Sequence, residues 1–370
     1  MRIGVPREIK ADEYRVGLTP SAVRELTALG HPVLVERGAG SAVGFDDPAY
    51  ESAGATMVDS AGDVFADAQL IVKVKEPQPD EYRQLRSDQI LFTFLHLAPD
   101  PEQAEGLMAS GASCIAYETV TDRTGRLPLL TPMSEVAGRL ATQAGAHHLE
   151  LHQGGRGILL GGVPGVSPAG VTIVGGGVVG TQAARMALGL GARVRVLDKS
   201  LTRLRELDAA FHGRLVCEYA TEDALEQALP RTDLLIGAVL VTGDAAPKLL
   251  SREQLGVLPH GAVLVDVAID QGGCFATSRP TTHRQPTFSV DGVVHYCVAN
   301  IPSAAARTAT LALSHATLPY VQALAQNGLE ALKRDPGLGA GLNVHRGQIT
   351  HEAVARALGK PWVAFDGGPE

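Results

Sequence analysis

The stretch GVTIVGGGVVGTQAARMALGLGARVRVLDKS, residues 170–200, decides the fold. A short β-branched run, Val171 to Val174, is followed by a GxGxxG pattern at Gly175, Gly177 and Gly180 and then by a helix of small residues. Each glycine answers a separate need. Gly175 permits a tight turn, Gly177 lets the backbone approach a pyrophosphate, and Gly180 lets helix and strand pack closely. Val178 and Val179 open the helix, whose unsatisfied N–H groups suit phosphates. The next strand, Arg193 to Leu197, arrives at the interval of a βαβ unit and ends in Asp198, whose carboxylate can accept hydrogen bonds from the adenosine ribose. That context predicts a bound dinucleotide. Asp198 would repel a 2′-phosphate, which predicts NAD over NADP; Lys199 and Arg203 pull the other way, because a cation there could pair with that phosphate.

Outward from this unit the same alternation continues. Strands are expected at Leu234 to Ala238, Ala262 to Val267 and Val293 to Cys297, giving six or so in a doubly wound domain. Upstream, apolar runs at Arg2 to Val5, Pro32 to Glu36, Leu70 to Val74, Ile90 to Leu95 and Ser113 to Tyr117 alternate with helical patterns such as Pro20 to Leu29 and Pro101 to Ser110. A long helix is expected over Thr131 to His152, followed by the Gly-rich stretch GGRGILLGGVPGV, the best candidate for a domain junction. After Asn300 the pattern turns helical, and this tail is expected to pack back on the first domain. The fold class is therefore α/β with two domains: a doubly wound Rossmann NAD-binding domain, 129–305, and a discontinuous α/β substrate domain, 1–128 with 306–370, the active site lying in the cleft between them.

At 370 residues, two cores are more natural than one. A net charge of -8 and the lack of a Lys/Arg stripe leave nothing to neutralise a nucleic-acid backbone or an anionic membrane surface. The opening MRIGVPREIKADEYRVG has no apolar run of the signal-peptide kind, and no stretch is apolar for long enough to span a bilayer, so a soluble, cytoplasmic protein is expected. Cys114, Cys217, Cys274 and Cys297 are scattered, without zinc-ligand spacing, and read as reduced, mostly buried thiols; no metal site is indicated.

In open α/β sheets, ligands lie beyond the carboxyl ends of the strands. Lys75 and His96 end two apolar runs of the first sheet, and Arg15 lies in the loop after its first strand. Singly, each has a bland reading: a solvated strand end, a rim histidine, a surface charge. Together, two cations and an imidazole beside a nicotinamide describe a pocket for a carboxylate whose neighbouring carbon exchanges hydride. Arg15 would clamp the carboxylate, Lys75 would add a second positive charge, and His96 would move the proton. On the Rossmann side, Asp266 either caps or ion-pairs within its turn, whereas Asp270 lies beyond the strand end and is preferred as catalytic; Asn300 follows another strand.

RVGLTP (15–20), VKVKEP (72–77), FTFLHLA (92–98), LLTPMSEVAGR (129–139), VDVAIDQGG (265–273) and HYCVANIPSAAARTAT (295–310), with the glycine fingerprint, closely resemble the alanine dehydrogenase family, which includes the transhydrogenase alpha subunits, over essentially the whole chain. The resemblance implies reversible NAD-dependent conversion of L-alanine to pyruvate and ammonia by a homohexamer of two-domain subunits. It implies substrate binding at Arg15, Lys75 and Asn300 and acid/base catalysis at His96 and Asp270. For the cofactor it implies contacts from Ser134, Asp198, Arg203 and Arg279, from Val239 and Leu240, from Val267, Ala268, Ile269 and Asp270, and from Val298, Ala299, Asn300 and Ile301 through to Ser303. Ala220 stands where a serine is usual near the adenine, and Val239 where a small polar residue is common. A transhydrogenase alpha subunit or a saccharopine-type dehydrogenase shares this plan, but the former needs no carboxylate clamp and the latter takes a bulkier substrate.

Overall fold

The computed structural model describes residues 1–239 and 247–365. The chain folds as two compact units, Met1–Met133 with Ala305–Glu370, and Ser134–Ala304. Among the described residues, no helix is long and apolar enough to cross a membrane.

The first unit starts with β1 (Ile3–Val5), β2 (Val33–Glu36), β3 (Thr56–Val58), β4 (Leu70–Val72), β5 (Ile90–Thr93) and β6 (Ser113–Ala116). They pair in the order β3-β2-β1-β4-β5-β6, all parallel. Apart from β3, every residue of these strands is buried, as a sheet covered on both faces requires. Helix Pro20–Ala28 begins where Thr19 accepts a hydrogen bond from the Ala22 N–H, with proline in the first turn, and it buries Ala22, Val23 and Leu26.

The second unit contains β7 (Gly170–Val174), β8 (Arg193–Asp198), β9 (Val216–Tyr219), β10 (Leu234–Gly237), β11 (Val263–Asp266), β12 (Thr287–Val290) and β13 (Val293–Tyr296). Its parallel order is β9-β8-β7-β10-β11-β13, with β12 antiparallel on the outer edge of β13. This is the doubly wound 3-2-1-4-5-6 arrangement, with the order reversing at β7 and β10. The first unit has the same order, reversing at β1 and β4.

The tail is not wholly helical. Beyond helix Ala306–Asn327 it forms β14 (Leu342–His345) and β15 (Gln348–Ile349), and β14 lies antiparallel on β6, extending the first sheet to eight strands. The long helix over Thr131–His148 also stops short of His152, which sits in a 3-10 turn, Leu151–Gln153.

Candidate functional site

The glycine turn joins β7 to helix Val178–Gly189. Gly175 has φ +101°, in the left-handed region, and a Cβ there would stand 2.6 Å from the Ala238 carbonyl oxygen. A Cβ at Gly180 would lie 1.9 Å from the Gly175 oxygen, so only glycine allows this helix to sit so close to its strand. Among the described residues, a Cβ at Gly177 would meet nothing within 4 Å and no side chain caps that helix. An uncapped helix N-terminus beside a tight turn fits a pyrophosphate.

Asp198 ends β8 and steadies the same turn: its Oδ2 accepts from Gly176 N–H at 2.6 Å and its Oδ1 from Ser200 N–H at 2.7 Å. Arg203 reaches back, donating from Nε to the Gly176 carbonyl at 2.6 Å and from Nη2 to Thr181 Oγ1 at 2.5 Å, while Nη1 pairs with Glu206 at 2.6 Å. Its charge is thus committed to the turn and to Glu206, which weakens it as a receptor for a 2′-phosphate. Lys199 remains exposed.

The other expected cofactor residues differ in what they can offer. Val298 is fully buried in the core of this unit, and Ala268, Ile269 and Ile301 are nearly so; Ala268 spends its N–H on Asp266 and its carbonyl on the Gln271 and Gly273 N–H groups. Val239 and Ala220 pack partly against the second cluster of the unit, and the Ala220 N–H donates to the Asp198 carbonyl at 3.0 Å. Val267 and Ala299 are half-buried, Ser134 lies in helix Thr131–His148, and Ser303 is buried in the 3-10 turn Ile301–Ala305. Arg279 is exposed and lies over the Phe288 ring at 4.3 Å. Leu240 lies outside the described residues.

Asp266 and Asp270 separate cleanly. Asp266 is fully buried, accepting from the N–H groups of Ala268 at 3.0 Å and Cys274 at 2.9 Å and from Ser278 Oγ at 2.6 Å. Its lone pairs serve the turn. Asp270, in the 3-10 turn Ile269–Gln271, is exposed. Asn300 holds a left-handed φ of +60°, and its carbonyl lies 3.2 Å from His283 Nε2.

On the first sheet, Arg15, Lys75 and His96 all lie beyond carboxyl ends of parallel strands: after β1, β4 and β5. The strands are shorter than their apolar runs. β4 stops at Val72 and β5 at Thr93, so Lys75 and His96 belong to the following segments rather than to strand ends. Arg15 is not a surface charge, the bland alternative for it: the residue is 2% exposed. Its guanidinium is gripped by Glu13, Nε to Oε1 at 2.6 Å and Nη2 to Oε2 at 2.5 Å, while Nη1 lies 2.9 Å from Met133 Sδ. The two-pronged clamp is therefore made with Glu13.

Sequence reasoning saw the cations of this rim but not its glutamates. Glu76 lies 4.0 Å from Lys75 and hydrogen-bonds Lys10. Burial pushes the Glu76 carboxyl up, but Lys75, Lys10 and His96 outweigh it and hold the group below its usual range. Glu118, just after β6, accepts from His96 N–H at 2.6 Å and from Leu95 N–H at 3.2 Å, and its Oε1 is 4.0 Å from His96 Nδ1. It holds His96 at a left-handed φ of +49°, a conformation that costs a non-glycine residue about 1–3 kcal/mol. The imidazole lies parallel to Phe94, centroids 5.7 Å apart, with its side chain 42% exposed, so it is available to a ligand. Deeper, Lys73 is fully buried between Glu8 at 3.0 Å and Glu81 at 2.7 Å.

All four cysteines are free thiols. Burial pushes Cys114 and Cys297 up to about 12, which makes them poor nucleophiles near neutrality.

A glycine turn at one switch point and a cationic, imidazole-bearing rim on a second sheet define a two-unit, dinucleotide-dependent oxidoreductase. Models for the alanine dehydrogenase/PNT N-terminal and C-terminal domains match residues 4–137 and 141–352. The chain is 59% identical over 364 residues to an alanine dehydrogenase of Halomonas elongata and 53% identical over 363 residues to one of Mycobacterium tuberculosis, covering 98% of both chains in each comparison. A solved L-alanine dehydrogenase is 52% identical with a TM-score of 0.94, covering 97% of this chain and 99% of the other. A transhydrogenase from Sinorhizobium meliloti is 25% identical with a TM-score of 0.81, covering 95% and 100%. The chain belongs to the alanine dehydrogenase/PNT family. Membership at this identity makes it an amino-acid dehydrogenase with NAD as cofactor.

Proposed function

We propose that this chain catalyses the reversible oxidative deamination of L-alanine to pyruvate and ammonia. The observation that carries the reading is the placement of Arg15, Lys75 and His96 beyond carboxyl ends of one parallel sheet, in a chain that matches alanine dehydrogenases over 98% of its length. NAD, when bound, supplies the hydride acceptor. Arg15 and Lys75 hold the substrate carboxylate, which fixes the orientation of its Cα hydrogen. Asn300 adds a polar contact to the substrate.

After hydride loss the substrate is an iminium, to which water must add. Asp270 or His96 takes the proton from that water, and His96 delivers a proton to the departing nitrogen as the carbinolamine collapses to ammonia and pyruvate. In the second unit, Gly175, Gly177 and Gly180 give the pyrophosphate its close approach, Val178 and Val179 open the helix beneath it, and Asp198 reads the adenosine ribose. Ser134, Arg203, Arg279 and the backbone of 267–270 and 298–303 complete that half.

The test is absorbance at 340 nm with NADH, ammonia and a panel of small 2-oxo acids. Pyruvate should be consumed fastest; a bulkier or dicarboxylic 2-oxo acid preferred over pyruvate would overturn the assignment. We further propose a cytoplasmic homohexamer, with light scattering of the purified protein as the check on its mass.

A further inference from the structure

Lys75 is delivered by a segment whose backbone is held from both sides. On the β5 side, Lys73 N–H donates to the Phe92 carbonyl at 3.2 Å and Phe94 N–H to the Val74 carbonyl at 3.2 Å. Tyr117 Oη donates to the Lys73 carbonyl at 3.0 Å, and Thr93 Oγ1 to the Lys75 carbonyl at 2.9 Å. The Val74 N–H points the other way, toward β1, where the ladder has ended: β1 pairs with β4 only at Ile3 and Gly4 and is followed by Pro6. The group that meets this amide is a side chain, Glu8 Oε1, at 2.7 Å.

The same carboxylate grips the buried Lys73 through its other oxygen, and Glu81 completes the triad from helix Pro79–Tyr82, with Oε2 accepting from Gln78 N–H at 2.8 Å. A buried ionic triad of this kind is a poor source of stability, because an apolar set of similar volume is often as stable or more so. Its distinctive yield is geometric. It replaces the missing ladder strand with a carboxylate that holds both Lys73 and the Val74 amide.

We propose that Glu8 is a positioning residue for substrate binding: by holding the Val74 amide and Lys73 where β1 no longer can, it fixes the backbone that carries Lys75 to the rim. This rests on the reading of Lys75 as a substrate ligand. Glu8 is buried, with one oxygen on the Val74 amide and the other on Lys73, so its loss should appear in the pyruvate KM and leave the NADH KM alone.

The experiment is steady-state kinetics of the full chain with pyruvate, ammonia and NADH for Glu8→Leu, Glu8→Gln and Lys75→Met. Glu8→Leu should raise the pyruvate KM about tenfold or more, since small misplacements of a positioning group are amplified in this way. The NADH KM should stay within about twofold, and Glu8→Gln, which keeps an oxygen for the Val74 amide, should recover most of the loss. Should Glu8→Leu fail to fold, Glu8→Leu/Lys73→Met/Glu81→Gln removes all three charges of the triad, keeps an oxygen for the Gln78 N–H, and is expected to show the same selective rise. A pyruvate KM within about twofold of wild type in the folded variant, or an equal rise for pyruvate and NADH, overturns the proposal. If Lys75→Met raises the pyruvate KM and Glu8→Leu does not, this proposal alone fails; if Lys75→Met does not raise it, the reading of Lys75 fails and takes the proposal with it.

Discussion

The two units share one strand order and differ in the connection that leaves their first strand. In both sheets the order reverses at the first and fourth strands, β1 and β4 in one and β7 and β10 in the other. After β7 the chain needs only the turn at 175–177 to enter its helix, whose start no side chain among the described residues caps. After β1 it runs through 6–19 before helix Pro20–Ala28, whose N-terminus Thr19 caps, and it fills the space with Glu8, Glu13 and Arg15. On the proposed reading, the same topology serves a phosphate where the connection is glycine, and a substrate carboxylate where it is long and ionic.

The sharpest way to break the comparison is at His96. His96→Ala should lower turnover about 100- to 10,000-fold in a steady-state assay while NADH binding persists, and near-full turnover would remove it from the chemistry. Next, Gly180→Ala puts a methyl 1.9 Å from the Gly175 oxygen, so the cradle must deform. A destabilisation of about 1–3 kcal/mol, with loss of NADH affinity in a fluorescence titration, is expected; an unperturbed titration would show that close helix approach is not what the turn supplies. A smaller effect is expected at Asp198, where Asp198→Ala should narrow the NAD-over-NADP ratio of kcat/KM about tenfold. An unchanged ratio would place ribose recognition elsewhere.

The smallest effect is on pH. Burial raises Glu8 from 4.5 to about 7, outweighing the pull of Lys73. A carboxyl raised in this way favours the folded state most below about 4.5, and its contribution is lost as pH rises through about 7. Relative to wild type, the Tm of Glu8→Gln should therefore climb by about 2–4 °C between pH 5 and pH 8. A constant or falling difference would contradict that sign.

The sequence made the second unit far more legible than the rim of the first. A glycine fingerprint is local: strand, turn and helix are consecutive, and Asp198 lies one strand further on. Arg15, Lys75 and His96 could be placed because parallel strands all end at one rim, and the two candidates Asp266 and Asp270 differed by their distance past a strand. Glu13, Glu76, Glu8 and Glu118 follow no period, and only tertiary packing brings Glu118 beneath His96 or Glu8 beneath Val74. The strands that escaped notice are short and partly exposed, such as β3 and β9, or are joined by an unusual turn. Arg346 and Gly347, between β14 and β15, have φ of +48° and +78°. That is the geometry of a type I′ hairpin turn, whose usual sequence signal is Asn-Gly rather than Arg-Gly.

The central claim is that substrate and cofactor are held by different sheets. Its most direct test is NADH fluorescence titration of Lys75→Met alongside its pyruvate-dependent turnover. The account predicts an NADH Kd within about twofold of wild type and a pyruvate KM raised about tenfold or more. Loss of NADH binding with the pyruvate KM unchanged would contradict it.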